Sequence, residues 1–475
     1  MKRALAEARA ASRKARWLLL ALAAGPALAL FWAAAGRLSH PRGDDVVLIT
    51  VDTLRTDHVS AYGTKALTPA MDRLASQGVL FERASTNIPR TTAALATLFT
   101  GRDPQQHGVR FLEQPLPEGE RTLAQALSLR GFRTTGLAAG GPLGPRTRLD
   151  RGFASYRCYV DLKAALLTLR ALPWLFLNIP RRTFLWIHYF DPHFGYNPPW
   201  PYGRQKGEPP GFRVYQDIRE RRLTFGRLHF APPMTEQEHS YLRALYRGEV
   251  EYTDAAVGVL QRALRLRDAL TGGRTLVVLT ADHGESLGEH GCWYEHGEYL
   301  YESDVRIPLV ICWPGRLRPG ARTSVETGLT DLAPTMLELL RLPPLEGAGG
   351  RSVSAALGGE GLAGSPIFVE SGESFFTENP RRPLGGVEGR WRAVVSGGWK
   401  LILIPHPEGA ELELYDLAAD PAESRNLAAG LPTRAAPMRE ALETWMRAQS
   451  GRPPAPAGGM DEETRKRLRS LGYLD

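Results

Sequence analysis

Residues 46–52, VVLITVD, decide the fold: a short, almost unbroken apolar run, rich in β-branched side chains, that stops on an acid. A strand that is apolar on both faces is buried on both faces, the condition of a parallel strand covered by helices. The pattern returns at residues 275–285, TLVVLTADHGE, and at residues 184–193, FLWIHYFDPH, where apolar runs again deliver acids and histidines. In open α/β sheets ligands bind outside the carboxyl ends of the strands, so Asp52, Asp282 and His283 stand where functional groups stand. Asp44 and Asp45, at the opposite end of the first strand, read as solvated.

Between these runs the chain alternates helix and strand. Residues 69–78, PAMDRLASQG, have the spacing of a short amphipathic helix closed by glycine, and GVLFERA follows as a strand. Residues 122–129 and then GFRTTGLAA repeat the unit. The expected fold is a doubly wound, mostly parallel α/β sheet flanked by helices. Residues 235–267 form a long helical pattern whose charges read as a solvated face. Residues 305–312 are a further strand and 330–342 a helix. Residues 391–404, WRAVVSGGWKLILI, read as a β-hairpin before a helical tail, predicting a smaller C-terminal antiparallel sheet with a helix. Residues 162–177 are expected as a core-facing helix, with contact between residues 174–177 and a bilayer surface as the minor alternative. Residues 197–233, rich in Pro, Gly and Arg, read as a long surface loop.

The formal charge of +8 over 475 residues suggests a nucleic-acid partner only until it is located. Lys2, Arg3, Arg9, Arg13, Lys14 and Arg16 against Glu7 supply five of the eight charges, and no basic stripe interleaved with aromatics follows. These residues precede an uncharged run at 17–35, WLLLALAAGPALALFWAAA, about the roughly 20 residues that cross a bilayer as a helix. The reading is a basic cytoplasmic tail (1–16), a signal anchor (17–35), a linker (36–43), a catalytic α/β domain (44–385), a C-terminal β subdomain (386–430) and a helical tail (431–475). Positive residues ahead of the anchor place the catalytic domain on the extracytoplasmic side. Secretion after cleavage at 33–35 is the alternative. Cys158, Cys292 and Cys312 lack CxxC spacing and read as buried small residues, with one bridge and one free thiol as the alternative.

Residues 87–101, NIPRTTAALATLFTG, run a turn into an apolar helix, so Thr91 or Thr92 stands at a helix start, where N–H groups and the macrodipole favour an anion. With Asp52, Asp282 and His283 this hydroxyl composes a divalent-metal shell. Carboxylates suit hard cations, and the imidazole shifts preference toward Mn²⁺ or Zn²⁺. Ca²⁺ or Mn²⁺ is expected, with Zn²⁺ or Mg²⁺ as alternatives. His188, His193, His290 and His296 fall around the same segments and are candidates for binding anionic oxygens, His193 and His296 also for protonating a leaving group.

In order along the chain, VDTLRTDHVSAYG, TPAMDRLASQGVLFERA, LFTGRDPQQHGV, HYFDPHFGYNPP, LTADHGESLGEHG, HGEYLYESDVRIPLVICWPG, LTDLAPTMLELL and GGWKLILI with ELYDLAADPAESRNLA resemble the sulfatase branch of the alkaline-phosphatase superfamily. The resemblance runs from about residue 45 to 420 and implies an alkaline-phosphatase-like fold. It implies metal binding by Asp52, Asp282 and His283, and, counted back from Thr100 and Gly101, Thr91 as nucleophile and inner ligand. His193 falls on a substrate histidine of the family and His296 near a substrate-binding lysine or histidine. Three departures stand out. The family's Cys-x-Pro-Ser-Arg or Ser-x-Pro-Ser-Arg is replaced by Thr91, Thr92, Ala93, Ala94 and Leu95; its second acid after Asp52 is Thr53; and its Gly-Lys-x-His segment is missing from residues 136–144. Threonine cannot be oxidised to formylglycine, so no formylglycine is expected. The chain resembles superfamily members that cleave phosphodiesters and phosphonates or transfer phospho-groups.

The expected function is metal-dependent hydrolysis of a sulfate or phosphate ester through a covalent Thr91 intermediate. The substrate class is a sulfated or phosphorylated small molecule, glycan or lipid head group; the membrane is a partner through the anchor, and nucleic acid is not. A phospho-group transferase acting on membrane lipid or glycan, and a catalytically degenerate binder of anionic glycans, are the alternatives.

Overall fold

A computed structural model describes residues 44–179, 181–203, 207–359, 361–372 and 375–449. The stretch at 17–35 lies outside the described residues; among those described, no helix is long and apolar enough to cross a membrane. The first strand, β1 (Asp45–Val51), is buried along its whole length. The others of the main sheet are β2 (Val79–Ser85), β3 (Arg133–Ala139), β4 (Ser155–Tyr159), β5 (Thr183–Tyr189) and β6 (Thr275–Ala281). A short hairpin, β7 (Ser286–Leu287) and β8 (Trp293–Glu295), then precedes β9 (Arg306–Cys312), β10 (Ala321–Thr323) and β11 (Thr327–Gly328).

The sheet order is β10-β2-β9-β6-β1-β5-β3-β4, with β11 also on β2. From β6 to β4 every pairing is parallel, whereas β9 is antiparallel to both β6 and β2. Helices α1 (Pro69–Gln77), α2 (Thr91–Thr100), α3 (Leu123–Leu129), α4 (Ala164–Leu177), α5 (Glu236–Thr271) and α6 (Leu332–Leu339) cover the sheet, which explains why its central strands are apolar on both faces. The architecture is the mixed, mostly parallel α/β fold expected from the alternation of runs.

The C-terminal sheet has four antiparallel strands, β12 (Ile367–Glu370), β13 (Arg392–Ser396), β14 (Trp399–His406) and β15 (Gly409–Asp416). Its outer face packs on α7 (Pro432–Gln449) through Leu401, Leu414, Met438 and Leu442. β12 comes from upstream of residue 386, so the small sheet draws on a longer part of the chain than the expected subdomain.

Several sequence readings change. Asp45 is buried and pairs with Arg267 (2.9 Å), where a solvated acid was expected. Glu249, Asp254 and Arg267 of α5 point inward rather than forming a solvated face, because the 36-residue helix carries buried ion pairs and caps to other elements. Asp254, for example, accepts the N–H groups of Ala70 and Met71 at the start of α1. Residues 214–219 and 225–230 are short helices inside the stretch read as a loop. Cys158, Cys292 and Cys312 are free thiols; Cys292 and Cys312 are buried as expected, whereas Cys158 is only half-buried. Leu166, Leu169 and Leu177 of α4, read as a core-facing helix, stay exposed among the described residues.

Candidate metal and anion site

Strand register assembles the site. Val51 of β1 lies opposite Tyr189 of β5 and Ala281 of β6, so Asp52 and Asp282 emerge side by side, one residue past the last paired position. Ligand atoms of Asp52, Asp282 and His283 all lie within 4.8 Å of one another. His283 Nε2 is 3.4 Å from Asp282 Oδ2 and 3.8 Å from Asp52 Oδ1. Its Nδ1–H donates to the Gly284 carbonyl (2.9 Å), which leaves the Nε2 lone pair aimed at the carboxylates.

Thr91 is the first residue of α2, and its hydroxyl donates to His283 Nε2 (3.2 Å). Thr92, the alternative in the sequence, is occupied: its hydroxyl donates to the Pro142 carbonyl (2.9 Å) and accepts the N–H of Glu113 (3.0 Å). All ten residues of α2 are buried, so the helix is fixed with its first turn at the cluster. The side chain of Arg90, at the N-cap, makes no cap hydrogen bond, and the positive helix end is left facing the site.

The electrostatics of this pocket are unbalanced. Burial pushes the carboxyls of Asp52 and Asp282 well above the usual carboxylate range, and Asp52 raises Asp282 further. Apart from the nearby N–H of Thr53, both oxygens of Asp52 and Oδ2 of Asp282 find no hydrogen-bond donor among the described residues. Two buried carboxylates without a cationic side chain, faced by an imidazole lone pair and a hydroxyl, fit a divalent cation. The oxygen-rich donor set with one nitrogen suits Ca²⁺, Mn²⁺, Mg²⁺ or Zn²⁺.

Three more histidines approach. His193 and His296 each donate Nδ1–H to a carbonyl, of Phe194 (3.1 Å) and Pro89 (3.2 Å), and their Nε2 atoms face each other at 3.3 Å. With both Nδ1 atoms protonated, a proton taken up between the two Nε2 atoms would satisfy both and give the pair one positive charge. Burial holds both imidazoles below the ordinary histidine range, His193 at about 4, which favours the neutral form of the pair. His296 also stacks on His283, with centroids 4.1 Å apart. His188, expected to touch substrate, instead lies enclosed behind the carboxylates. Thr50 holds its Nδ1 (2.8 Å), and Nε2 is 3.6 Å from Asp52 Oδ2. The structure does not bring His290 to the cluster: it sits on the strained turn before β8 (φ 53°) and stacks face to face on Tyr301.

Sequence reasoning missed the shell around these groups. Buried Arg90, beside Thr91, pairs with Glu295 (3.0 Å) and lies over the Phe375 ring. A Cβ on Gly297 or Gly372 would fall within 2.6 Å of its Nε, so both glycines are needed for the guanidinium to fit. Glu285 accepts the hydroxyl of Tyr196 and the N–H of Phe194, tying the turn that bears His193 to the end of β6. The available signal was position for Arg90, Tyr196, Glu285, Glu295 and Gly297, each within a few residues of Thr91, His193, His283 or His296; Gly372 and Phe375 carried none.

Comparison with known proteins places this geometry. The family model described as Sulfatase matches residues 44–342, and one described as N-sulphoglucosamine sulphohydrolase, C-terminal, matches residues 288–449. The chain is 30% identical over 206 residues to arylsulfatase K of Gallus gallus, covering 42% of this chain and 36% of that protein. It is 32% identical over 205 residues to choline-sulfatase of Rhizobium meliloti, covering 41% and 35%. The aligned region thus spans little more than a third of these curated relatives. Among solved structures, the phosphonate monoester hydrolase of Agrobacterium radiobacter superposes with a TM-score of 0.69 at 22% identity, covering 88% of this chain and 98% of that one.

Proposed function

The chain belongs to the sulfatase family, and on that premise we propose that it is a metal-dependent hydrolase of anionic sulfate or phosphate esters with Thr91 as its nucleophile. The observation that carries this reading is the Thr91 hydroxyl, 3.2 Å from His283 Nε2, at the mouth of a carboxylate pair that has no counter-charge. Asp52, Asp282, His283 and Thr91 would hold the cation. Bound there, a divalent ion lowers the pKa of a hydroxyl and offsets anionic charge that builds up in the transition state.

The chain's own groups supply the remaining steps. The N-terminus of α2 and the Arg90 guanidinium turn positive charge toward the ester's oxygens. The Thr91 hydroxyl gives up its proton to water, and Oγ1 attacks the sulfur or phosphorus. The bond to the leaving oxygen breaks as that oxygen takes a proton that the His193–His296 pair picks up when the anionic ester binds beside it; the water of the second step later returns one proton to Thr91 and one to the pair. Water then cleaves the Thr91 ester and restores the hydroxyl. Because residue 91 is threonine, the cycle needs no formylglycine. Residues 17–35 anchor the protein in a membrane with the catalytic domain on the extracytoplasmic side.

The test is turnover of aryl sulfate, phosphate monoester, phosphate diester and phosphonate substrates with Ca²⁺, Mn²⁺, Mg²⁺ or Zn²⁺ added. Wild type is expected to turn over at least one substrate in a metal-dependent way and to trap label covalently on Thr91. Thr91→Ala, folded by circular dichroism, is expected to do neither. Full activity of Thr91→Ala on every substrate the wild type cleaves overturns the mechanism.

A further inference from the structure

Helix α4 is apolar on two sides, and only one of them is covered by the described residues. Leu167, Ala171 and Leu175 are buried in the core. On the other side Leu166, Leu169 and Leu177 are 52%, 45% and 67% exposed, and Pro173 lies open between them. This is a stripe at helical spacing along the whole element. Its single charged residue is Arg170, which leans on the Tyr159 ring, and the helix contains no acid. Exposed apolar residues scattered singly need no explanation, but a stripe along one helix does.

A second, independent observation says what faces it. The described chain begins beside the last turn of α4: Asp45 pairs with Arg267, whose guanidinium also donates to the carbonyls of Leu175 (3.0 Å) and Arg181 (3.0 Å). Only residues 36–43 separate this point from the 19 uncharged apolar residues at 17–35. Eight extended residues span at most about 29 Å, and α4, with 14 residues, is about 21 Å long. The open stripe is therefore within one linker's reach of wherever residues 17–35 are embedded.

We propose that the outer face of α4 rests on the bilayer that residues 17–35 enter, with its leucines at the acyl boundary and Arg170 among anionic head groups. This rests on the anchored reading proposed above. At the first end of α4, Lys163 bridges Asp191 (2.7 Å) and Glu249 (2.8 Å), and Asp191 belongs to the turn that presents His193. Trp200, 83% exposed, follows in the same segment. A helix lying on the bilayer thus brings the His193 turn to head-group level, where a membrane-borne ester would be presented.

The test uses the full chain with a protease site inserted within residues 36–43, reconstituted in phosphatidylcholine vesicles containing phosphatidylglycerol. Carbonate extraction before cleavage reports on residues 17–35 alone, and flotation after cleavage reports on α4, so the two readings fail separately. The cleaved catalytic part is expected to float with the vesicles, and Leu166→Glu/Leu169→Glu/Leu177→Glu to lower that partition by about tenfold or more, with turnover in detergent unchanged. Release of the wild-type part on cleavage overturns the proposal, as does retention of the triple variant. A released part that is dimeric by light scattering, and monomeric in the triple variant, also overturns it by assigning the face to a second copy of the chain.

Discussion

Asp52 and Asp282 at the centre of the sheet edge, and Glu302 and Glu423 beside the small sheet, are all largely withdrawn from water, yet their surroundings differ in one respect. Lys400 of β14 reaches Glu302 (3.0 Å) and Glu423 (2.6 Å), is itself fully buried, and ties the small sheet to the main body. Burial alone would pull this ammonium down, but the two carboxylates outweigh it and its pKa is raised. No lysine or arginine pairs with Asp52 or Asp282 among the described residues. The difference separates structure from function. Carboxylates matched by a protein cation hold the fold together, while those left unmatched keep their desolvation cost, which on the function proposed above a cation from solution would offset.

Three substitutions break or sharpen this comparison, in descending order of effect. Asp282→Asn is expected to lower turnover on the order of 10⁴-fold, about 5 kcal/mol of transition-state stabilisation. In the presence of chelator it should leave the melting temperature equal to wild type or higher, since the lost charge has no partner. Added metal should raise the melting temperature of wild type and not that of the variant; a variant that melts well below chelated wild type would show the carboxylate to be structural.

Lys400→Met should do the reverse. Removing the cation leaves two carboxylates buried without compensation and costs about 3–5 kcal/mol in urea unfolding, while turnover per folded molecule stays at the wild-type level. Loss of turnover without loss of stability would contradict the division of roles.

The smallest effect concerns Asp254, whose partners are backbone N–H groups rather than a cation. Burial raises it to about 6. A carboxyl whose folded pKa lies above its unfolded value stabilises the fold when protonated, so its contribution grows as pH falls through that value and is lost as pH rises. Between about pH 7 and about pH 5, wild type should gain about 1 kcal/mol more stability than Asp254→Asn, measured by urea unfolding at the two pH values. Equal pH dependence of the two proteins would place the titration elsewhere.

The apolar runs were the legible part of the molecule. A run of valines and isoleucines that ends on Asp52 or Asp282 must be buried, and a buried parallel strand opens its carboxyl end toward a ligand. Charged residues at a strand start or inside an amphipathic helix were not legible in this way: Asp45, Glu249, Asp254 and Arg267 read as solvated until their partners, carried by other segments, were in place. Histidines showed the same limit. His193 and His296 meet although 103 residues separate them, while His290, only six residues from His296, is turned onto Tyr301 instead.

By itself the sequence determined the class of fold, the order of its elements and the strand ends on which Asp52, Asp282 and His283 gather, because periodicity and burial are properties of a short run of chain. Only the tertiary structure decided which hydroxyl meets the cluster, which carboxylates have a counter-charge and which face of α4 stays bare. Thr91 and His283 are 192 residues apart, and the Thr92 hydroxyl is occupied by the carbonyl of Pro142 and the N–H of Glu113. Whether a buried charge is costly or matched depends on what distant segments bring within a few ångströms of it, and no local pattern carries that information.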